Sequence, residues 1–190
     1  MTESGKLVGQ GQGNRSDRRW IEEAQNGSEI AMEHLFREYW PGAHRAAYLV
    51  VHDWAASEDI AQEAFLRAVR SLDRFDRKRS FGPWLHRIVI NRSIDWCRRK
   101  AALREVGSGT DGREAVGEET DFPDPHLRDQ IFGALSLLSP EHRAVVVLRY
   151  YLEYTPGEIA RILEIKRGTV NSRLRRALDH LGDIVEGGAG

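Results

Sequence analysis

Apolar residues in this chain recur every three or four positions, the spacing that places them on one face of an α-helix. The clearest stripe consists of Ile60, Ala61, Ala64, Phe65, Ala68, Val69 and Leu72. Polar residues such as Gln62 and Arg67 lie between them, as on the solvent face of an amphipathic helix. No segment shows a convincing two-residue alternation, the pattern of a β-strand. The sequence therefore predicts an all-α fold.

Capping residues predict where the helices of the first half begin and end. A short helix from about Asp17 is expected to end at Gly27, and Ser28 is placed as the N-cap of a longer helix. Pro41 is expected to break or kink that longer helix, because proline has no backbone N–H to donate. Ser57 is predicted to cap the next helix, with acidic residues in its first turn.

Composition divides the chain into two small helical domains joined by a flexible acidic linker. We predict a disordered tail over residues 1–16, a first module over 17–101, the linker over 102–123 and a second module over 124–186. The linker is rich in glycine and acidic residues and poor in apolar ones, so it cannot bury a core. Each module is short, and we therefore expect each core to be small.

The second module contains a helix-turn-helix pattern. Thr155 and Glu158 are spaced as a capping box at the start of a short helix. A tight turn over residues 164–166 follows, and a basic helix begins near Arg167. In such a unit the N-terminal part of the second helix enters the major groove of DNA.

Seven side chains of that basic helix are candidates for contact with DNA. Val170 and Leu174 are expected to face the core, which leaves Asn171, Ser172 and Arg175 exposed to contact base edges. The residues placed for contact with phosphates are Arg167, Thr169, Arg173 and Arg176. The bland alternative is a solvated basic face on a structural helix.

The overall charge conceals blocks of opposite sign. The formal net charge of −1 and the isoelectric point of about 6.7 argue by themselves against nucleic acid. Residues 166–176 nevertheless contain five basic residues and no acid, and residues 87–104 contain six basic residues and one acid. Between them, residues 105–129 contain eight acids against two arginines. Two basic blocks on either side of an acidic one indicate two contacts with nucleic acid.

Aromatic and cationic residues are interleaved around a second basic helix, which is predicted to begin at Pro83 and to fade near Lys100. Aromatic rings contribute about 1–3 kcal/mol per stacked base and cations follow the backbone, so this pattern suits single-stranded DNA. Phe75 and Trp84, each taken alone, are more simply core residues. The loop over residues 76–81 is harder to assign to a core, because it contains three consecutive cations.

Composition also excludes several other classes. A single cysteine, Cys97, cannot form an intramolecular disulfide and indicates a reducing compartment. The first 16 residues lack the apolar segment of a secretory signal, and no apolar run reaches the roughly 18–20 residues of a membrane span. The histidines show no metal-ligand spacing, and no nucleophile motif or phosphate loop occurs. We expect a soluble cytoplasmic protein that is not an enzyme and carries no metal or cofactor.

Four segments resemble the extracytoplasmic-function (ECF) sigma factors of the sigma-70 family, the promoter-recognition subunits of bacterial RNA polymerase. These segments are residues 58–65, 84–91, 138–143 and 168–174, in the order and at the separations of that family. The resemblance covers about residues 19–181. It implies a monomer that binds core RNA polymerase and promoter DNA, both duplex and single-stranded, and that is controlled by an anti-sigma factor wedged between the modules.

The resemblance also implies roles for individual residues. Asp59, Gln62 and Glu63 would dock on the clamp helices of the largest polymerase subunit. The second module would bind the −35 element and the polymerase flap, and the linker would extend towards the RNA exit path. The residues implied in −10 recognition and melting are Phe75, Arg77, Lys78, Arg79, Phe81, Trp84, Arg87, Asn91, Arg92, Arg98 and Arg99.

One other class of protein fits a helix-turn-helix module at the C-terminal end of a chain. A ligand-responsive regulator would sense a small molecule with its N-terminal half and bind a palindrome as a dimer. A sigma factor would be monomeric and would bind promoter DNA well only together with core polymerase. The cationic loop followed by Asn91 favours the sigma factor.

Overall fold

The computed structural model describes residues 13–105 and 125–187 of the chain. Both ranges consist of helices and turns with no strand, which confirms the predicted all-α fold. The first half forms α1 over Gly13–Gln25, α2 over Glu29–Val51, α3 over Trp54–Ser71 and α4 over Phe81–Glu105. A 3-10 turn, Leu72–Arg74, follows α3. Residues 13–16 thus belong to α1 and residues 102–105 to α4, whereas the rest of the predicted tail and linker lies outside the described residues.

The second half forms α5 over Pro125–Ser136, α6 over Pro140–Val146, α7 over Pro156–Leu163 and α8 over Arg167–Gly187. A π-helical turn, Val147–Tyr151, continues α6. The pair α7 and α8, with a tight turn between them, is the predicted helix-turn-helix.

Local capping signals account for several helix boundaries. The Ser28 hydroxyl accepts the N–H of Ala31 at 3.3 Å, and Gly27 before it has a φ of +88°, which glycine adopts without strain. The Thr155 N–H donates to the Glu158 carboxylate at 2.8 Å, and the Glu158 N–H donates back to the Thr155 hydroxyl at 3.4 Å. The N-cap at Ser28 and the capping box are both confirmed.

The predicted cap at Ser57 is wrong. Helix α3 begins at Trp54, because the carboxylate of Asp53 accepts the N–H of Ala56 at 3.0 Å and caps the helix one turn earlier. Ser57 lies inside the first turn and is buried, and its hydroxyl donates to the Trp54 carbonyl at 2.6 Å. Two competent cap residues stand close together here, and the first one starts the helix.

Two prolines do not mark the boundaries predicted from them. Helix α2 continues through Pro41 to Val51, so a break there is wrong. An interior proline costs about 3 kcal/mol, but the turns after it are buried, with Ala43 and Ala47 fully inaccessible to solvent. Packing of these turns offsets the lost hydrogen bond. Helix α4 begins at Phe81, two residues before Pro83.

Within residues 13–105 and 125–187, apolar side chains form two clusters, and the second cluster is shared by the two halves. The first lies among α1 to α4 and includes Ile21, Leu35, Phe65, Leu85 and Val89. The second includes Leu148, Ile159, Ile162, Val170 and Leu174 of the second half. It also includes Leu49 and Val50 of α2 and Ile90 and Ile94 of α4. Helix α4 therefore packs both on the other helices of the first half and on the second half. Its cationic residues consequently lie near the junction of the two halves.

Candidate nucleic-acid interface

The outer face of α3 carries the three residues expected to contact polymerase. Asp59, Gln62 and Glu63 are all exposed, because the opposite face of the helix buries most of the apolar stripe. The Gln62 amide donates to the Glu58 carboxylate at 3.3 Å, and Glu63 forms an ion pair with Arg92 of α4. This face presents an acidic and polar strip on a rigid helix.

An apolar groove lies between α2 and α3, and the sequence reasoning missed it. Its lining includes Met32, Leu35, Phe36, Phe65, Leu66 and Val69. Leu66 is 56% exposed and Val69 is 42% exposed. Val69 belongs to the predicted apolar stripe but stays partly exposed, because it lies at the edge of that stripe. The unusual width of that stripe is the signal that could have revealed the groove.

The loop between the 3-10 turn and α4 exposes three consecutive cations. Arg77, Lys78 and Arg79 are all exposed. The Asp76 carboxylate accepts the N–H of Lys78 at 2.9 Å, and the Asp76 carbonyl accepts the N–H of Arg79 at 2.9 Å. Arg77 Nη1 lies 2.6 Å from Glu22 Oε1 of α1. Asp76 thus fixes the turn that presents the cations to solvent.

The aromatic residues at the base of this loop pack against one another. Phe75 and Phe81 are buried, and their ring centroids lie 4.7 and 5.6 Å from that of Trp84. Trp84 is half-buried and lines a cleft together with Lys78, Arg79, Arg87 and, from α7, Arg161. Of the three aromatic rings, Trp84 therefore lies in the same cleft as the exposed cations Lys78 and Arg79.

Three arginines of α4, namely Arg87, Arg92 and Arg98, form ion pairs with carboxylates. Arg87 Nη2 lies 2.7 Å from Glu164 Oε2, and Arg98 Nη2 lies 2.6 Å from Glu141 Oε1. Partial burial is the largest single influence on the pKa of Glu141 and raises it, but the hydrogen bond from Arg98, a backbone hydrogen bond and the charges of Arg98 and Arg173 together lower the pKa below its ordinary value. Arg92 pairs with Glu63 in the same way, and Asn91 and Arg99 are exposed.

Helix α8 exposes Asn171 and Arg175 as predicted, whereas Ser172, also predicted to be exposed, is half-buried. Val170 and Leu174 are buried, which confirms the orientation of the helix. The exposed residues are Arg167, Asn171, Arg175 and Arg176, and the half-buried ones are Thr169, Ser172 and Arg173. The Ser172 hydroxyl donates to the Thr169 carbonyl at 3.0 Å, so it is oriented along the helix.

Two buried polar residues between the halves were not predicted from the sequence. Arg143 is 8% exposed and donates to the Leu135 carbonyl at 2.9 Å and to the Val50 carbonyl of α2. Tyr154 is 2% exposed, and its hydroxyl lies 2.8 Å from Nδ1 of His86 in α4. No local sequence pattern predicts either contact, because the partners are far apart in sequence.

Comparison with known proteins identifies the family. Residues 35–103 match sigma-70 region 2, and residues 128–181 match sigma-70 region 4. The chain is 32% identical over 172 residues to the ECF RNA polymerase sigma factor SigW of Bacillus subtilis, and this match covers 85% of this chain and 92% of SigW. The chain belongs to the ECF sigma factors. The function implied by this family is binding to RNA polymerase and promoter-specific initiation of transcription.

Other relatives agree with this assignment. This sigma factor is 29% identical over 165 residues to the RNA polymerase sigma factor CarQ of Myxococcus xanthus, covering 87% of this chain and 95% of CarQ. It is similar in structure to CnrH, solved in complex with the cytosolic domain of CnrY, with a TM-score of 0.69 and 25% identity. That likeness covers 90% of this chain and 98% of CnrH.

In the part of this sigma factor that the structure describes, none of the helices is long and apolar enough to cross a membrane. Over residues 13–105 and 125–187, His, Cys, Asp and Glu side chains form no cluster of three that could hold a metal ion.

Proposed function

We propose that this ECF sigma factor binds core polymerase through α3, recognises the −10 and −35 elements with α4 and α8, and melts promoter DNA to start transcription of a specific regulon. The observation that carries the proposal is the order of faces along the chain. An acidic strip on α3, a cationic loop leading into α4, and a basic recognition helix each lie on a separate rigid element.

The polymerase contact is assigned to Asp59, Gln62 and Glu63. Their side chains are exposed on one face of α3, next to the exposed apolar side chains of Leu66 and Val69. An acidic strip bordered by apolar surface suits a helical partner that presents both basic and apolar residues. The clamp helices of the largest polymerase subunit are the partner that the family implies.

The −10 contact is assigned to the loop and to the face of α4 that follows it. Arg77, Lys78 and Arg79 are exposed for the strand backbone, and Trp84 lies beside them in a cleft. A base removed from the duplex costs a few kcal/mol to unstack, which stacking and cation contacts at this loop would offset. Melting therefore belongs to the loop, with Asn91 and the α4 arginines positioning the strand.

The −35 contact is assigned to α8. Asn171 and Arg175 are exposed one turn apart on the N-terminal half of the helix, where a recognition helix contacts base edges. Arg167 and Arg176 are exposed beside them and are placed for phosphates. The module acts on duplex DNA while it rests on the polymerase flap.

An anti-sigma factor is a further proposed partner. CnrH was solved with the cytosolic domain of CnrY, and the sigma factor RpoE of Bartonella quintana was solved with the anti-sigma factor NepR. We expect a protein captured on this sigma factor from its own cells to inhibit transcription by its holoenzyme. Failure of every captured protein to inhibit would count against such a partner.

Core-dependent DNA binding tests the proposal as a whole. In transcription buffer, the purified protein is expected to sediment as a monomer. It is expected to bind promoter fragments only after core polymerase is added. A dimer that binds a palindromic duplex without polymerase would instead support a ligand-responsive regulator. The cytoplasmic location follows from the proposed role, because the polymerase is there.

A further inference from the structure

Helix α1 contacts both ends of the cationic loop, residues 75–80, which joins the 3-10 turn to α4. The helix ends at Gln25, whereas the match to sigma-70 region 2 begins at residue 35. Side chains of α1 nevertheless reach the residues at the start of the loop and, through α2, the residue that follows its end. The position of the loop therefore depends on a helix that precedes the matched segment.

Gln25 holds the backbone where the loop begins. Its Nε2 donates to the Leu72 carbonyl at 2.7 Å and to the Phe75 carbonyl at 3.1 Å. The Leu72 carbonyl also accepts the N–H of Phe75 at 3.0 Å, so the amide of Gln25 closes the 3-10 turn from outside. Gln25 is half-buried, and Leu72 and Phe75 are buried. Both N–H groups of one side-chain amide are thus used to fix the entry to the loop.

Glu22 adds a weaker contact from the same helix. Its carboxylate lies 2.6 Å from Nη1 of Arg77, and the side chains are 59% and 51% exposed. An ion pair this exposed contributes little to stability and is screened by salt. Glu22 therefore orients one loop cation, whereas Gln25 holds the backbone itself.

Asp17 and Tyr39 fix the other end of the loop. The Tyr39 hydroxyl of α2 donates to the carboxylate of Asp17, which is 7% exposed. Burial, and then this hydrogen bond, raises the pKa of Tyr39, so the hydroxyl keeps its proton and remains a donor. The Tyr39 ring lies edge to face against Phe81, the first residue of α4, with centroids 5.0 Å apart.

The start of α4 leaves little space around that ring. A Cβ atom added to Gly82 would lie only 3.0 Å from Cε1 of Tyr39. Backbone and ring are therefore in direct contact where the loop ends, and a shift of Tyr39 would move the first turn of α4. Because Asp17 fixes the hydroxyl of this ring, α1 also determines where the loop ends.

We infer that α1 positions the cationic loop for promoter opening, with Gln25 holding its start and Asp17, through Tyr39, holding its end. The inference rests on the proposed function, which assigns the loop to the −10 element. Gln25 and Asp17 are positioning residues, because they act on DNA only through the loop. A loop with both ends fixed loses less conformational entropy when its cations bind the separated strand.

Hydrogen exchange of the free protein tests the positions of the loop. Gln25→Glu replaces the donating amide with a carboxylate of the same shape, which accepts but cannot donate. Exchange at the hydrogen-bonded amides of Phe75 and Arg79 is expected to become about tenfold faster, because two hydrogen bonds to the loop entry are lost. Amides inside α3 and α4 should exchange as in wild type. Unchanged exchange at the loop would overturn the inference.

The next residue of the chain supplies the matched control. Asn26→Asp makes the same change from amide to carboxylate at an exposed position and should exchange as wild type. Tyr39→Phe tests the other end, since it removes the hydroxyl and keeps the ring, and it should also speed exchange at Arg79. If Gln25→Glu is unfolded by circular dichroism, Gln25→Met replaces it, because methionine is similar in size and has no N–H to donate. Equal changes in the Gln25 and Asn26 variants would overturn the inference.

Promoter opening shows whether Gln25 acts through the loop. Gln25→Glu is expected to slow open-complex formation on duplex promoters several-fold and to leave affinity for core polymerase unchanged. Added to Arg77→Ala, it should cause little further loss, because two residues that act through one element are not additive. Permanganate reactivity of unpaired thymines measures the opening. Fully multiplicative losses would indicate a purely structural role and would overturn the inference.

The same measurements separate the inference from the proposed function. Exchange of the free chain is measured without DNA or polymerase. If Arg77→Ala slows opening and Gln25→Glu does not, the role of the loop stands and the positioning role of α1 is refuted. If neither variant slows opening, the assignment of the loop to the −10 element fails, and the inference fails with it.

Discussion

Glu63 of α3 forms an ion pair with Arg92 of α4. A residue proposed to bind polymerase is thus paired with a residue proposed to bind DNA. The side chains are 53% and 27% exposed, which leaves the carboxylate accessible to a basic partner. Polymerase that engages Glu63 would weaken this pair and leave Arg92 to the promoter backbone. The contact therefore links the two binding events of a sigma factor within one helix pair.

Neutralising Glu63 tests its assignment to polymerase. We expect Glu63→Gln to weaken binding to core polymerase about fivefold, because an exposed charge pair contributes up to about 1 kcal/mol. Titration of labelled protein with core polymerase at low and high salt measures the effect, which should shrink at high salt. Glu33→Gln on α2 is the control and should bind as wild type, and an equal loss in both variants would refute the assignment.

Substitution of the adjacent Arg175 and Arg176 of α8 distinguishes contacts with bases from contacts with phosphates. Arg175→Ala or Asn171→Ala should lower the preference for the −35 element over a scrambled sequence by about 1–3 kcal/mol. Arg176→Ala should weaken both sequences alike, because phosphate contacts carry no sequence information. Holoenzyme binding to the two duplexes measures both quantities. Reduced affinity of Arg175→Ala for core polymerase itself would show that its role is misassigned.

The cationic loop is predicted to act at the opening step. Arg77→Ala should slow open-complex formation on duplex promoters several-fold and leave binding to pre-melted promoters nearly unchanged, because the loop contacts the separated strand. Glu22→Gln is the companion variant, since it removes the Arg77 ion pair at 2.6 Å without removing the cation. Permanganate reactivity of unpaired thymines reports opening. Equal losses on duplex and pre-melted DNA would contradict the assignment.

Buried histidines make the fold sensitive to acid. Burial lowers the pKa of His86 to about 4. Burial, and then the nearby Arg143, lowers the pKa of His52 to about 3. A histidine in the unfolded chain has a pKa of about 6.5. The unfolded chain therefore takes up protons that the folded chain refuses as the pH falls below about 6.5, and stability declines through that window. Above about pH 7 the stabilisation is fully present.

Urea unfolding at a series of pH values measures this effect. The wild-type free energy of unfolding should fall by up to about 3 kcal/mol between pH 7 and pH 4 through His86 alone, at about 1.4 kcal/mol per pH unit. His86→Asn should have a shallower dependence, whereas a substitution of the exposed His180 should keep the wild-type slope. Parallel curves for wild type and His86→Asn would be inconsistent with a neutral buried His86.

The sequence predicted the features of this sigma factor that depend on neighbouring residues. The cap at Ser28, the capping box at Thr155, and the inward orientation of Val170 and Leu174 all follow from spacings within one helical turn or two. The four segments that resemble the ECF sigma factors are also short, local patterns. The prediction of Ser57 as an N-cap was wrong because Asp53, one turn earlier, caps the helix instead.

The contacts between distant residues were beyond such reasoning. Arg143 meets the Val50 carbonyl across 93 positions, and His86 meets Tyr154 across 68. Periodicity indicates that a helix face is buried but does not identify the element that covers it. For the same reason the ion pairs of Arg87, Arg92 and Arg98 could not be predicted from the sequence.

Mapping of transcription start sites tests the central claim most directly. Purified protein and core polymerase from the same bacterium are incubated with sheared genomic DNA, and the new 5′ ends are sequenced. The account predicts start sites absent with core polymerase alone, each preceded by the same two motifs at a fixed spacing. It also predicts that Arg175→Ala loses preference at the upstream motif only. No new start sites, together with dimeric binding to a palindromic duplex, would contradict the account.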